Sequence, residues 1–273
     1  MRLSRQRLDA LLVKKNLATG RDQAKAYILA GQVTVDGRRC DKAGAMIEET
    51  AELAFTGNAN PFVSRGGLKL GKALDTFVIR LAGCRVLDLG ASTGGFTDCA
   101  LQRGARHVVA VDVGYGQLAW SLRNDPRVTV LERTNARYLT PEMIGEAVDF
   151  ASADLSFISL TKILPALPPL LTKNGQLVLL VKPQFEAGRE QVGKKGVVRE
   201  PSVHIEVIKR VASCAQENGL IPINLSYSPI TGPEGNIEYL LHLAVDAMPL
   251  ENFPELVERV VTEAHQTLQP IRR

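Results

Sequence analysis

Val86-Leu87-Asp88-Leu89-Gly90-Ala91-Ser92-Thr93-Gly94-Gly95-Phe96-Thr97 decides the fold. A short apolar strand runs into a glycine-rich turn, and a helix opens directly after it. In an open α/β sheet this is the place where a ligand binds, at the carboxyl end of the first strand. Glycines there allow backbone turns and close approach that a Cβ would block. Outward from this stretch, the continuous apolar runs Arg85–Leu89, Val108–Val111, Val128–Leu131, Val148–Ala151 and Gln176–Val181 read as buried strands, with a last one at Glu238–Val245. Helical patterns lie between them, among them Phe96–Arg103 and Ser202–Asn218. Strands alternating with helices imply a mostly parallel, doubly wound sheet covered on both faces.

The glycine order narrows the ligand. A dinucleotide site wants G-x-G-x-x-G and bare amides for its pyrophosphate. Here the order is G-x-x-x-G-G, and Asp88 stands just inside the loop, where a carboxylate repels phosphate and suits a cationic sulfonium carrying an amino group. Asp112 ends the second strand 22 positions after Gly90, a spacing that suits hydrogen bonds to ribose hydroxyls. The glycine order, Asp88 and Asp112 therefore favour S-adenosylmethionine over a dinucleotide. A glycine turn without a ligand is the alternative.

The chain has 273 residues, enough for a large domain and a small one. Four cysteines, Cys40, Cys84, Cys99 and Cys214, stand far apart without a CxxC pair, so no metal site is expected and a reducing cytoplasm is the expected setting. Charged residues interrupt every apolar run short of the roughly 18–20 residues that cross a bilayer. The basic start leads into an amphipathic pattern rather than a signal-peptide core. Charge is uneven. Met1–Lys42 holds ten Lys/Arg against four acids, a net of +6, whereas the whole chain carries +4, which leaves −2 for the other 231 residues. This basic end reads as two helices, Leu8–Lys15 and Arg21–Ala30, followed by a strand Gln32–Asp36, an Asp36-Gly37 turn, and a weaker strand or turn running to about Phe55. Thr56–Pro61 is small, polar and turn-prone, the expected linker.

Methyl transfer to a ribose hydroxyl needs a deprotonated oxygen in line with the methyl carbon. A lysine takes that proton only after losing its own, and a neighbouring carboxylate orients it and stabilises the charge it gains. Asp154 follows the run Val148–Ala153, Lys182 ends Gln176–Val181, and Glu238 opens the last strand. Lys69 lies ahead of the first strand on a helix facing the same cleft. Two cations and two carboxylates then meet with balanced charge where the strand ends converge. Taken singly, each reads equally as a solvated lysine, a helix cap or a turn acid.

The stretches SRGGLKL (Ser64–Leu70), LDLGASTGGFTDCALQRGA (Leu87–Ala105), VDVGYGQLAWSLRNDPRV (Val111–Val128), LERTNAR (Leu131–Arg137), ADLSFISL (Ala153–Leu160), VKPQFE (Val181–Glu186) and GNIEYLL (Gly235–Leu241) resemble the TlyA family, S4-domain ribosomal RNA methyltransferases also labelled haemolysins. The similarity covers nearly the whole chain. The second part is also similar to the wider RrmJ/FtsJ group of RNA 2′-O-methyltransferases. The resemblance implies a Rossmann-like class I methyltransferase domain over residues 64–273, a linker at 60–63 and a small α+β S4 RNA-binding domain over 1–59. It implies a catalytic set of Lys69, Asp154, Lys182 and Glu238, with Lys182 the base, and cofactor contacts from Asp88, Gly90, Ser92, Gly94 and Asp112, with an adenine contact from Asn135. Related enzymes often carry an acid there, and an amide still hydrogen-bonds the base. It implies methylation of cytidine in 16S and in some members 23S ribosomal RNA, as free RNA or in ribosomal subunits, with no membrane role. Arg5, Arg7, Lys14, Lys15, Arg21 and Lys25 are the candidate phosphate contacts of the S4 part, positioning RNA without reading its sequence. A solvated charged surface is the plain alternative.

The polar loop Pro183–Arg189, continuing through Lys194-Lys195-Gly196, reads either as a cover for RNA, with Phe185 stacking on a base and Arg189 on phosphate, or as a surface loop without a role. Tyr115 and Trp120 read as adenosine-pocket or core residues, and His204 and His265 as ordinary helix positions. Two rival functions stand beside the enzyme. A membrane-active cytolysin needs a spanning, barrel or amphipathic pattern that the sequence does not display. A non-catalytic ribosome-assembly factor has no use for the four-residue set.

Overall fold

The computed structural model describes residues 4–15, 17–18, 20–29, 31–55 and 60–268, and the chain divides into two units, Met1–Val63 and Ser64–Arg273. In the expected linker, residues 56–59 lie outside the described residues, as do Ala30 and residues 1–3 and 269–273.

In the first unit the elements are β1 (Arg5–Arg7), α1 (Leu8–Lys14), α2 (Arg21–Leu29), β2 (Val33–Val35), β3 (Arg38–Arg39), β4 (Met46–Glu48) and β5 (Leu53–Phe55). β1 pairs antiparallel with β4, and β2 lies between β3 and β5. Leu8, Leu12, Ala24, Ile28 and Val33 close a small core. Asp36 and Gly37 both take positive φ, 49° and 75°, the conformation of a two-residue hairpin turn matching strand twist. What read as one weak strand after this turn is three short ones, because polar residues break the pattern at Cys40–Ala45.

The second unit runs α3 (Gly66–Phe77), β6 (Arg85–Leu89), α4 (Gly95–Gln102), β7 (His107–Val111), α5 (Trp120–Arg123), β8 (Val128–Leu131), α6 (Pro141–Ile144), β9 (Val148–Ala153), β10 (Leu171–Val181), α7 (Pro183–Glu186), α8 (Pro201–Glu217), β11 (Leu220–Tyr227), β12 (Tyr239–Val245) and α9 (Phe253–Leu268). They form one seven-stranded sheet in the order β11-β12-β10-β9-β6-β7-β8. The five strands from β10 to β8 are parallel to their neighbours, whereas β12 runs antiparallel to both β10 and β11. The central strands bury residues on both faces, as continuous apolar runs require. Helix α8 lays Val207, Ile208, Val211, Ala212 and Ala215 on the sheet, and α9 adds Leu256, Val257, Val260, Val261 and Ala264. Both stripes have the three-and-four spacing of a helix packed on one side. Strand β8, which read as buried, is a half-buried edge. Trp120 and Tyr115 are exposed, 77% and 69%, so neither belongs to the core.

His204 is not an ordinary helix position. It is fully buried in α8, with Nε2 3.0 Å from the Val198 carbonyl. A carbonyl only accepts, so Nε2 carries the proton and Nδ1 is the acceptor. That Nδ1 faces the Tyr239 hydroxyl at 2.7 Å and His265 Nε2 at 3.1 Å. Burial holds the His204 pKa down to about 4. His242 stacks on Phe77 with 5.0 Å between ring centroids and lies 2.9 Å from Gln176 Oε1, and burial lowers its pKa to about 4 as well. Between that value and about 6.5, these histidines bind more protons in the unfolded chain than in the folded one, so their contribution to stability is complete above pH 6.5 and lost as pH falls toward 4. The urea midpoint of wild type is expected to drop between pH 7 and pH 5, and His242→Gln to flatten part of that drop. Equal pH slopes in the two proteins contradict this account.

Candidate active site

Parallel strands end together, and their last residues meet the loops that follow. Gly90 follows β6, Asp112 follows β7, Asp154 follows β9 and Lys182 follows β10. Glu238 reaches the same edge for the opposite reason. It precedes β12, whose first residue Tyr239 pairs with Val181, and an antiparallel strand starts where its parallel neighbour stops. Lys69 comes from the second turn of α3, which packs on α4. A Cβ at Gly95 would sit 2.8 Å from the Gly67 amide, so glycine at 95 permits that approach.

The four side chains come together. Lys182 Nζ lies 2.6 Å from Asp154 Oδ1 and donates to Ser156 Oγ at 3.1 Å. Lys69 Nζ lies 3.6 Å from Asp154 Oδ2 and 2.6 Å from Glu238 Oε2. The last contact is carried by charge rather than by a well-aligned hydrogen bond. Lys69, Lys182 and Glu238 are buried and Asp154 is half-buried. Asp154 thus stands between two ammonium groups, and Glu238 balances the second. Buried charges persist when paired in this way, and removing one member leaves an uncompensated ion.

The glycine loop lies against this quartet. Gly90 has φ +82°, and a Cβ there would sit 2.5 Å from the Asp154 carbonyl oxygen. Gly94 has φ +99°, and a Cβ would run into Leu118 and Leu122. At the end of β7, Asp112 Oδ2 accepts from the Ser92 amide at 2.8 Å and Oδ1 from the Gly114 amide at 2.7 Å, which orients a half-buried carboxylate at the crevice rim. Ser92 and Asn135 are exposed. Asn135 caps a one-turn helix, accepting from the Arg137 amide at 3.0 Å. This donor set, anionic at Asp112 and built on glycine backbone, fits the nucleoside end of adenosylmethionine.

Asp88 sits elsewhere than its sequence reading placed it. Its side chain is beneath the loop, 1% exposed, accepting from Thr97 Oγ1 at 2.7 Å and Ser152 Oγ at 3.2 Å, so it ties β6 to α4 and β9 rather than facing the crevice. Thr97 and Ser152 went unnoticed because hydroxyls inside apolar runs look like core. Other residues missed in the sequence are Ser156, Glu186 and Asn236. The Asn236 amide accepts from the Val198 amide at 3.1 Å and donates to the Gly196 carbonyl at 2.9 Å, pinning the loop after Lys182.

The candidate RNA contacts of the first unit are engaged locally. Arg7 and Arg21 reach Asp9 at 3.0 and 3.5 Å, Lys14 reaches Glu49 at 2.8 Å, Lys25 reaches Asp22 at 3.2 Å and Arg5 reaches Glu48 at 3.5 Å. Lys15 donates to the Ala51 carbonyl at 2.8 Å. The pairs on Asp22, Glu48 and Glu49 are exposed and exchange partners at little cost, whereas Asp9 is buried and holds Arg7 by two hydrogen bonds. In the second unit, Arg189 is exposed, and Phe185 lies 5.1 Å from the exposed Phe157 ring and 5.6 Å from Lys182 Nζ.

Burial pushes the Asp88 carboxyl up to about 6, with hydrogen bonds from Thr97 and Ser152 pulling the other way. The folded value lies above the unfolded one of about 3.9, so this group's contribution is fully present below pH 4 and lost as pH rises through 6. Asp88→Asn removes that loss. Its gain over wild type in urea unfolding is expected to grow from pH 4 to pH 7, reaching roughly 2 kcal/mol. A neutral-pH midpoint at or below wild type contradicts the buried-charge reading.

Residues 62–245 match the FtsJ-like methyltransferase family, and residues 6–53 match the S4 domain. The chain is 51% identical over 263 residues to the 16S/23S rRNA (cytidine-2′-O)-methyltransferase TlyA of Mycobacterium tuberculosis, spanning 95% of this chain and 98% of the relative. It is 40% identical over 240 residues to Hemolysin A of Brachyspira hyodysenteriae, covering 88% of this chain and all of the relative. A solved structure described as a hemolysin from Streptococcus thermophilus superposes with a TM-score of 0.77 at 47% identity, over 97% of each chain. Sheet order, glycine loop and sequence kinship agree: the chain belongs to the TlyA family, adenosylmethionine-dependent methyltransferases that join an S4 domain to an FtsJ-like domain.

Proposed function

We propose that this methyltransferase acts on the ribose 2′-hydroxyl of cytidine in ribosomal RNA, in 16S and as a second target 23S, with Lys182 as the base. The observation that carries the reading is the charge-balanced quartet at the lip of the cofactor loop, with Lys182 Nζ 2.6 Å from Asp154 and Lys69 Nζ 2.6 Å from Glu238. Bound adenosylmethionine supplies an electrophilic methyl carbon on a sulfonium, so the remaining task is to orient the hydroxyl and remove its proton. Lys182, in its amine form, takes that proton at Nζ. Asp154 then faces the resulting ammonium and stabilises it. Lys69, held by Glu238 and Asp154, keeps Asp154 in place and presents a cation to the oxygen as negative charge develops on it. The Mycobacterium tuberculosis relative is a 16S/23S rRNA (cytidine-2′-O)-methyltransferase, which supports the same target for this chain. The basic S4 unit supports an RNA partner, held through phosphates by residues such as Arg5, Lys14 and Arg21. A ribosomal RNA substrate supports a cytoplasmic setting for the protein. Among the described residues, no helix is long and apolar enough to cross a membrane.

Lys182→Ala is expected to lower the methylation rate on purified ribosomal subunits by about 10²–10⁴-fold, the usual worth of a positioned base. Cofactor affinity should stay within about threefold, because Asp112, Ser92 and the glycine loop are untouched. Near-wild-type turnover removes Lys182 from the mechanism. Digestion of the treated RNA followed by nucleoside mass spectrometry should yield 2′-O-methylcytidine. A methyl group on a base, or on another nucleoside, overturns the substrate reading.

A further inference from the structure

Adjacent parallel strands stop sharing backbone hydrogen bonds where they end. The ladder between β9 and β10 closes at Ala153 opposite Leu179. Asp154 lies one residue beyond that point and Lys182 three residues beyond, yet their charged atoms stand 2.6 Å apart. The Asp154 amide still bonds Leu89 and Val181 still pairs with Tyr239, but the β9–β10 ladder no longer sets the distance between the two segments. Lys182 makes two crossings of its own, to Asp154 and to Ser156.

A third crossing comes from Glu186, the last residue of α7. Its Oε2 accepts from the Ser159 hydroxyl at 2.6 Å, and its Oε1 accepts from the Leu160 amide at 2.7 Å. Both donors belong to the turn that follows Asp154. Ser159 caps that turn, with its hydroxyl 2.7 Å from Thr161 Oγ1 and 3.2 Å from the Thr161 amide. From the other side, the Arg210 guanidinium of α8 donates to the Glu186 main-chain carbonyl. The Glu186 side chain is buried, 8% exposed, and its carboxylate forms no ion pair among the described residues. A buried carboxylate without a paired cation is costly unless its oxygens are hydrogen-bonded, and here both oxygens go to one turn. Serine, glutamate and backbone amide form a clasp four residues past Lys182 and five past Asp154.

We infer that Glu186 is a positioning residue for Lys182: by clasping the turn after β10 to the turn after β9, it sets the separation of Lys182 from Asp154. This rests on the reading of Lys182 as the base. Removing the clasp leaves the cofactor loop as it is and frees the two turns to drift. A displacement of about 1 Å at a reacting group costs up to about a hundredfold in rate.

The test uses the full-length chain with adenosylmethionine and purified ribosomal subunits. In Glu186→Ala, kcat per folded molecule is expected to fall tenfold to a hundredfold, with KM for subunits and cofactor Kd within threefold of wild type. Glu186→Gln keeps an acceptor for the Leu160 amide and offers a donor to Ser159, and should recover most of the loss. Ser159→Ala should fall between, and Glu186→Ala with Ser159→Ala should be no slower than Glu186→Ala alone, since both act through one clasp. Overturning results are kcat within twofold of wild type in Glu186→Ala, a glutamine variant no better than alanine, or losses that multiply in the double variant. If Glu186→Ala does not fold, Ser159→Ala decides: unchanged kcat there sinks the inference. Lys182→Ala separates the two readings. If it stays active the base assignment fails, and if it is dead while Glu186→Ala is fast only the clasp fails.

Discussion

The Lys182–Asp154 ion pair sits where two parallel strands have run out of backbone hydrogen bonds, and the rest of the site is arranged around that fact. Within the sheet, register holds residues to a fraction of an ångström without help from side chains. One residue past its end, the separation of two charges depends on whatever crosses the gap. Here Lys69 bridges Asp154 and Glu238, Ser156 accepts a hydrogen bond from Lys182, and Glu186 grips the neighbouring turn. A crevice at strand ends is chemically useful because it is free of ladder constraints. The same freedom means that each functional group there needs a dedicated support.

The antiparallel reversal at β12 has a similar logic. A fully parallel sheet would bring the carboxyl end of its last strand to the crevice, followed by a loop. By turning β12 around, the chain delivers Glu238 from the start of a strand, with Tyr239 already paired to Val181 and fully buried. A carboxylate set on ordered backbone holds Lys69 more firmly than one on a loop tip. His204 and Asn236 tie the segment around Val198 to this same corner. The cost is a cluster of neutral histidines that acid would charge, and a buried Asp88 whose ionisation works against the fold at neutral pH. These opposite pH dependences coexist because one follows from burying a base and the other from burying an acid.

Much of this was legible in the sequence, and the illegible part has a physical pattern. The strand runs around Leu87, Val109, Ala151 and Leu179 announced themselves because both faces are buried and apolar residues dominate them. Strand β11 did not, because Pro222, Asn224 and Ser226 break its run, and a bulge between Pro222 and Asn224 spoils strict alternation at an edge. Helix α9 had the right period, yet no charge or glycine tied it to chemistry. The four charged residues were readable as strand-end positions, but their mutual distances were not, since these depend on antiparallel register at Tyr239 and on how closely α3 approaches α4. Asp88 was legible as an acid in the loop and illegible as a buried one: its partners Thr97 and Ser152 lie 9 and 64 residues away. The S4 cations were visible as a basic block, while the pairing of Arg5 with Glu48 and of Lys14 with Glu49 was not, because those partners lie 43 and 35 residues away.

Gly90 joins the two halves of the argument. A glycine in this loop is usually explained by the ligand that must come close to it. Here the nearest neighbour is the chain itself, since the space a Cβ would occupy is taken by the Asp154 carbonyl, while the Asp154 amide donates to the Leu89 carbonyl at 2.9 Å. The turn that receives the nucleoside and the residue that orients the base therefore share one stretch of packed backbone. Any shift of the cofactor loop moves Asp154, and through Asp154 both lysines. Binding and proton transfer are then kept in register by main-chain contact, which side-chain motion cannot undo. That contact explains why the loop carries glycine at position 90 without appeal to the ligand, and why the spacing from Gly90 to Gly94 can differ from a dinucleotide loop. The turn has to meet a strand end on one side and a methyl donor on the other.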